Sequence, residues 1–211
     1  LKSKVTTAPA SEPVTLAELK LSLRITDTAQ DTLLTQYITD ARDMAERYTG
    51  RKFIEQTLTS YTDSYPTIGG EWWDGWRQGH IGYQTGTRHA IVFDWAPAIS
   101  ITSVVTIDSS NAESSYASTN YYLENFDDDK TAKMQFNDNA TLPGDLRDEN
   151  GWKIVWKAGY GTASSDVPAS IRRAIIVLAG HLYENRGDCE GELCGITEAF
   201  SMLNPYKIIR G

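Results

Sequence analysis

Apolar residues recur at helical spacing near both ends of this 211-residue chain, and roughly one hundred residues of strand-like character separate them. A helix with one apolar face must bury that face against another element, so the first and last stripes have to meet. The expected fold is therefore α+β. Two N-terminal helices and a C-terminal helix make a helical core, with an inserted antiparallel β lobe and an extended C-terminal tail. In residue numbers this is 1–50 for the N-terminal helical part, 51–165 for the β-rich lobe, 166–187 for the returning helix and 188–211 for the tail, all within a single domain.

The first helix is predicted to start at Pro13, because Thr15 followed by Glu18 is a capping box in which hydroxyl and carboxylate each satisfy an orphan amide. Leu16, Leu19 and Leu23 give it an apolar stripe, and it ends near Arg24 to Thr26. Asp27 and Thr28 open a longer helix carrying Leu33, Leu34, Tyr37, Ile38, Ala41, Met44, Ala45 and Tyr48, with Gly50 as its C-cap. Strands are predicted over 53–61, 90–93, 101–107, 121–123, 132–136 and 152–157. Gly159, Gly161 and Ser164-Ser165 make a flexible exit. Val167-Pro168 then restarts a helix whose Ile171, Ala174, Ile175, Leu178, Ala179, Leu182 and Tyr183 should pack on the second helix. Residues 187–211 read as irregular, apart from a helical turn around 198–203.

The formal charge of -8 argues against a chain that grips nucleic acid, since that affinity comes mainly from clustered Lys and Arg. It is equally what ordinary solubility needs, or a wall past which DNA slides without sticking. Cys189 and Cys194 are too few and too close together for a disulfide framework, which points to a reducing compartment. No apolar run approaches a membrane span, and the first nine residues lack the charged-then-apolar order of a signal peptide, so synthesis in a cytosol is expected.

Catalysis needs convergent polar groups of tuned acidity, and few are found. His181 and Glu184 lack the second His of a protease-type zinc site, so His181 is read as structural or surface-placed. Cys189 and Cys194 are spaced more widely than a zinc knuckle. The run Asp127-Asp128-Asp129, with Asp138 further on, lacks the alternate spacing and closing Glu of a calcium loop. Gly159-Tyr160-Gly161 is too short to cradle phosphate and reads as a turn. The expectation is no enzyme, no cofactor and no metal. The unusual segment is 69–88, where Trp72, Trp73, Trp76 and Tyr83 stand among glycines, with His80 and His89 close by. Such aromatics serve equally as an interface or as a cover over the β lobe. A carbohydrate- or host-binding platform ranks behind both and is the alternative function.

The run from Glu12-Pro13-Val14-Thr15-Leu16-Ala17-Glu18-Leu19-Lys20 through Leu23-Arg24-Ile25 and Ala41-Arg42, Ala45-Glu46 and Tyr48-Thr49-Gly50-Arg51 resembles tailed-bacteriophage head-tail connector proteins, also called adaptors or head-completion proteins. So do Gln56-Thr57, Ala158-Gly159-Tyr160-Gly161 with Val167-Pro168, His181-Leu182-Tyr183-Glu184-Asn185-Arg186 and Leu203-Asn204-Pro205-Tyr206. Together these blocks cover about half of the chain. The middle, especially 66–88 and 109–120, carries no part of the resemblance.

The resemblance implies a structural adaptor of the virion neck: a ring, commonly of twelve subunits, made in the host cytoplasm and placed at the head-tail junction. Its partners would be the portal protein, a head-closure (stopper) or tail-completion protein, further copies of itself, and DNA passing through without specific binding, with no membrane. On that reading the apolar-basic tail, Met202, Leu203, Asn204, Pro205, Tyr206, Lys207, Ile208, Ile209 and Arg210, reaches the portal. Deleting Met202 to Gly211 should leave a folded monomer that no longer joins the portal. A heterologous interface repeated around a closed axis needs complementary patches and leaves no catalytic motif to find.

Overall fold

The computed structural model describes residues 1–63, 90–124, 132–137, 139–185 and 194–208. They form four helices and eight strands, gathered into two compact units: Leu1–Thr7 with Thr57–Lys157, and Ala8–Gln56 with Ala158–Gly211. The Trp-rich segment, Asp127 to Asp129, Asp138 and Cys189 lie outside the described residues.

In the helical unit, α1 (Leu16–Leu23) starts at the expected capping box: the Thr15 hydroxyl accepts from the Glu18 N–H at 3.2 Å, and the Glu18 carboxylate from the Thr15 N–H at 2.7 Å. The second helix, α2 (Asp31–Thr49), begins later than the Asp27-Thr28 signal suggested. The Asp27 carboxylate accepts from the Ala29 N–H at 3.0 Å, closing a turn ahead of the helix instead of capping it. Gly50, at φ 73°, ends α2 in the left-handed region, its N–H donating to the Glu46 carbonyl at 2.9 Å. Leu34, Ile38, Ala41 and Ala45 form the buried stripe of α2. Helix α3 (Ala169–Glu184) lays Ile171, Ala174, Ile175 and Leu178 against it, and so packs on α2 as the periodicity required.

The C-terminal segment corrects the sequence reading. It is not an extended tail: Cys194–Leu203 is a full helix, α4, packed chiefly on α3. Ile196, Ala199, Phe200 and Leu203 recur at helical spacing, and Ala199 and Leu203 are completely buried. A stripe this short, close behind glycines, gives little periodicity to read.

The β unit holds a five-stranded sheet in the order β1-β2-β8-β4-β5 and a three-stranded sheet in the order β3-β7-β6. These strands are β1 (Lys2–Thr7), β2 (Gln56–Thr62), β3 (Ala90–Val92), β4 (Ala98–Ile107), β5 (Glu113–Ser115), β6 (Tyr121–Glu124), β7 (Lys133–Phe136) and β8 (Trp152–Ala158). The pairs β1/β2, β4/β5, β3/β7 and β6/β7 are antiparallel. All six expected strands are present. Alternation along β8 buries Trp152, Ile154 and Trp156 while Lys153, Val155 and Lys157 lie on the other face. Trp156 stacks on Phe93 with centroids 4.2 Å apart, and Trp152 meets Tyr116 edge-on at 5.1 Å. Two strands were not expected. The first, β1, is a polar edge with no buried apolar residue, and β5 is only the short return of a hairpin. Its turn is held by the Asp108 carboxylate, which accepts the Ser110 and Ala112 N–H groups at 2.8 and 2.9 Å.

Candidate functional site

The end of α2 and the chain just beyond it gather most of the buried polar chemistry described in the helical unit. Glu46 is fully buried. Its carboxylate accepts from Lys52 Nζ at 2.7 Å, from Gln56 Nε2 at 2.9 Å and from the Phe53 N–H at 3.1 Å, and Arg42 lies 3.4 Å away. Arg42 in turn donates through Nε to Glu12 at 2.7 Å. Two acids and two bases thus alternate, Glu12, Arg42, Glu46, Lys52, with no net charge. Burial is sustainable here because each charge has an opposite neighbour and the carboxylate's remaining lone pairs are filled. The cluster holds the strand-forming segment after Arg51 against the end of α2.

Beside it the C-terminal segment docks on the same helix. The Ile208 N–H donates to the Thr49 carbonyl at 2.9 Å, Arg51 Nε donates to the Tyr206 carbonyl at 2.6 Å, and the hydroxyls of Tyr206 and Ser170 meet at 2.8 Å. Tyr48 stacks on Phe200 at 4.4 Å, carries Lys207 Nζ over its ring at 4.7 Å and donates its hydroxyl to Asn204. Of the residues assigned to the portal, Leu203 and Ile208 are buried within their own unit, Met202 and Tyr206 are half-buried, and Asn204, Pro205 and Lys207 are exposed. Ile209 and Arg210 lie outside the described residues, as do Trp72, Trp73, Trp76 and Tyr83.

Two segments of the helical unit also join directly. The Tyr160 N–H donates to the Phe53 carbonyl at 3.0 Å, and the Glu55 N–H to the Gly161 carbonyl at 2.8 Å. Gly159 between them has φ 140°, and a Cβ there would stand 2.6 Å from the Glu55 nitrogen and the Ile54 carbonyl carbon. Residues 159–161, expected as a turn, form instead a bend that runs into a parallel bridge between Gly161 and Ile54, and only glycine fits its first position. His181 is half-buried on α3 with Nδ1 3.0 Å from the Asn185 side-chain amide. Among the described residues, no three His, Cys, Asp or Glu side chains cluster as a metal site, and no helix is long and apolar enough to cross a membrane.

Sequence reasoning missed Glu46 as a centre. It was visible only as one acid on a helix whose neighbours at 45 and 49 fall on the buried side, and the ligands that identify it come from residues 52–56.

Residues 13–70 match the family model of the Phage gp6-like head-tail connector protein. No curated protein matches the sequence. Among solved structures, chains in the neck of an empty GTA particle computed with C6 symmetry, in the virion of a native gene transfer agent (GTA) particle and in the neck of a native GTA particle computed with C12 symmetry share the fold. Each aligns with a TM-score of 0.73 and 18% identity over 100% of this chain and 97% of the other. Both comparisons agree with the resemblance drawn from the residues: 13–70 are similar to head-tail connector sequence, and the whole chain shares its fold with a chain from the neck of a GTA particle.

Proposed function

We propose that this chain is a structural subunit of the head-tail connector of a tailed phage or phage-like particle, without catalytic activity of its own. It sits at the head-tail junction as a ring of twelve copies, between the portal and a head-closure or tail-completion protein. DNA passes through its bore. The observation that carries this reading is that the connector match over 13–70 falls on α1, α2 and β2, within a chain whose entire length follows the fold of a neck protein. A related neck computed with C12 symmetry supports the copy number. The charge of -8 suits a wall that does not retain DNA, since phosphate affinity rises with each Lys or Arg offered.

Within this reading, Asn204, Pro205 and Lys207 are the part of the C-terminal segment available to the portal, because Leu203 and Ile208 already serve the fold. Trp72, Trp73, Trp76 and Tyr83 are assigned to contacts with a neighbouring subunit or the next protein down the neck. The test is binding of Lys207→Glu to isolated portal rings, with circular dichroism confirming the fold. Weakened binding that added salt does not rescue supports the assignment, and wild-type binding removes the segment from the portal interface.

A further inference from the structure

We infer that β1 is an exchangeable strand, and that in the assembled ring β1 of one copy completes the five-stranded sheet of its neighbour. This rests on the connector reading for the assembly in which exchange occurs. Two sides of one contact differ in how much they need it. Strand β2 depends on a partner: Leu58 and Ser60 are fully buried, and Ser60 takes the Trp156 indole N–H at 2.7 Å while meeting the Ser3 hydroxyl at 2.5 Å. Ser3 also donates to Asp94. Strand β1 gives little in return. From Lys4 to Thr7 every residue is exposed, none belongs to the buried core, and its register with β2 slips between Val5 and Thr7.

The connection allows either partner. Strand β1 belongs to the β unit, but the chain then leaves for the helical unit and returns only at Thr57. The link between them, Ala8-Pro9-Ala10-Ser11-Glu12-Pro13, is irregular, exposes Ala8, Ala10 and Ser11 before it is buried at Pro13, and carries two prolines. Prolines stiffen a short hinge and hinder it from turning back, a condition under which identical elements exchange between copies. The occupant of the β2 edge is defined by the molecule itself, because this segment already pairs there with Lys4 opposite Thr59. In a ring the neighbour's strand is held at a local concentration comparable with that of its own, so the exchanged pairing forfeits little. The chemistry is addition of an extended segment to a sheet edge, with main-chain hydrogen bonds supplying the affinity.

The test uses full-length chains with Cys189→Ser and Cys194→Ser, carrying either Lys4→Cys or Thr59→Cys, mixed and assembled on portal rings before mild oxidation. The double variant, Lys4→Cys with Thr59→Cys, shows that the pair can link. The expected result is a covalent dimer in the mixture, absent from either single variant alone, and chain-to-chain ladders from the double variant. Assembled particles in which the mixture stays uncoupled, and the double variant links only within its own chain, overturn the exchange and leave the connector reading standing. Chains that do not assemble on the portal defeat that reading and the exchange with it.

Discussion

Replacing Glu46 by Ala removes a fully buried carboxylate that Lys52, Gln56, the Phe53 N–H and Arg42 all address. Arg42 keeps Glu12, but Lys52, with a side chain only 7% exposed, loses the carboxylate 2.7 Å from its ammonium. Breaking a buried pair from one side costs about 3–5 kcal/mol, more than the pair contributes over an apolar replacement, because the stranded partner bears its full desolvation penalty. The expected loss for Glu46→Ala is therefore about 4 kcal/mol. Adding Lys52→Met should return about half of it, by removing the buried charge that had faced Glu46 and leaving the amide donors short of an acceptor. The assay is urea unfolding followed by circular dichroism, with the midpoint shift multiplied by a common slope. A loss under about 1 kcal/mol, or a double variant no better than Glu46→Ala alone, refutes the reasoning: the first would mean that water reaches the site, the second that the Lys52 charge is not what makes the loss large.

Gly159→Ala should cost about 2–3 kcal/mol, because a Cβ there would stand 2.6 Å from two backbone atoms that cannot move aside, and thermal unfolding measures it. Leu203→Ala should cost about 2–5 kcal/mol as a buried core truncation, whereas a surface tail would register almost nothing, so urea unfolding distinguishes a docked α4 from a free one. Thr15→Ala should cost about 1 kcal/mol through loss of the cap on α1. The Glu18 carboxyl is held below its ordinary 4.5, first by the Thr15 backbone N–H it accepts, with the Thr15 hydroxyl and Arg172 adding to this against the cost of burial. Its contribution is fully present above the unfolded value and is lost as pH falls through the lower folded one. Glu18→Gln should therefore flatten the acid limb of a stability profile below pH 4.5 and leave its slope at neutral pH unchanged.

What the sequence made legible follows from the range of the interactions. The Thr15/Glu18 box, the Gly50 cap and the alternation of Trp152, Ile154 and Trp156 are local patterns, and each stands where the pattern put it. The pairing of the first and last helical segments was legible too, since each apolar face required a partner. The failures have a different origin. Strand β1 carries no apolar alternation and exists because β2 offers an edge fifty residues later. Helix α4 is short, and its stripe is recognisable only once α3 supplies the surface it covers. The Glu46 cluster draws on Glu12, Arg42, Lys52 and Gln56, positions whose meeting no spacing rule announces. Asp27 shows the converse error, a residue of capping type that closes the turn ahead of the helix and does not cap it.

The most direct test of the connector account is the mass of the purified protein in solution, alone and mixed with portal rings from the same source. The account predicts a discrete complex in which twelve copies of this chain join each portal ring, whether they arrive as a ring or as monomers. A chain that stays monomeric and indifferent to the portal at every concentration contradicts it.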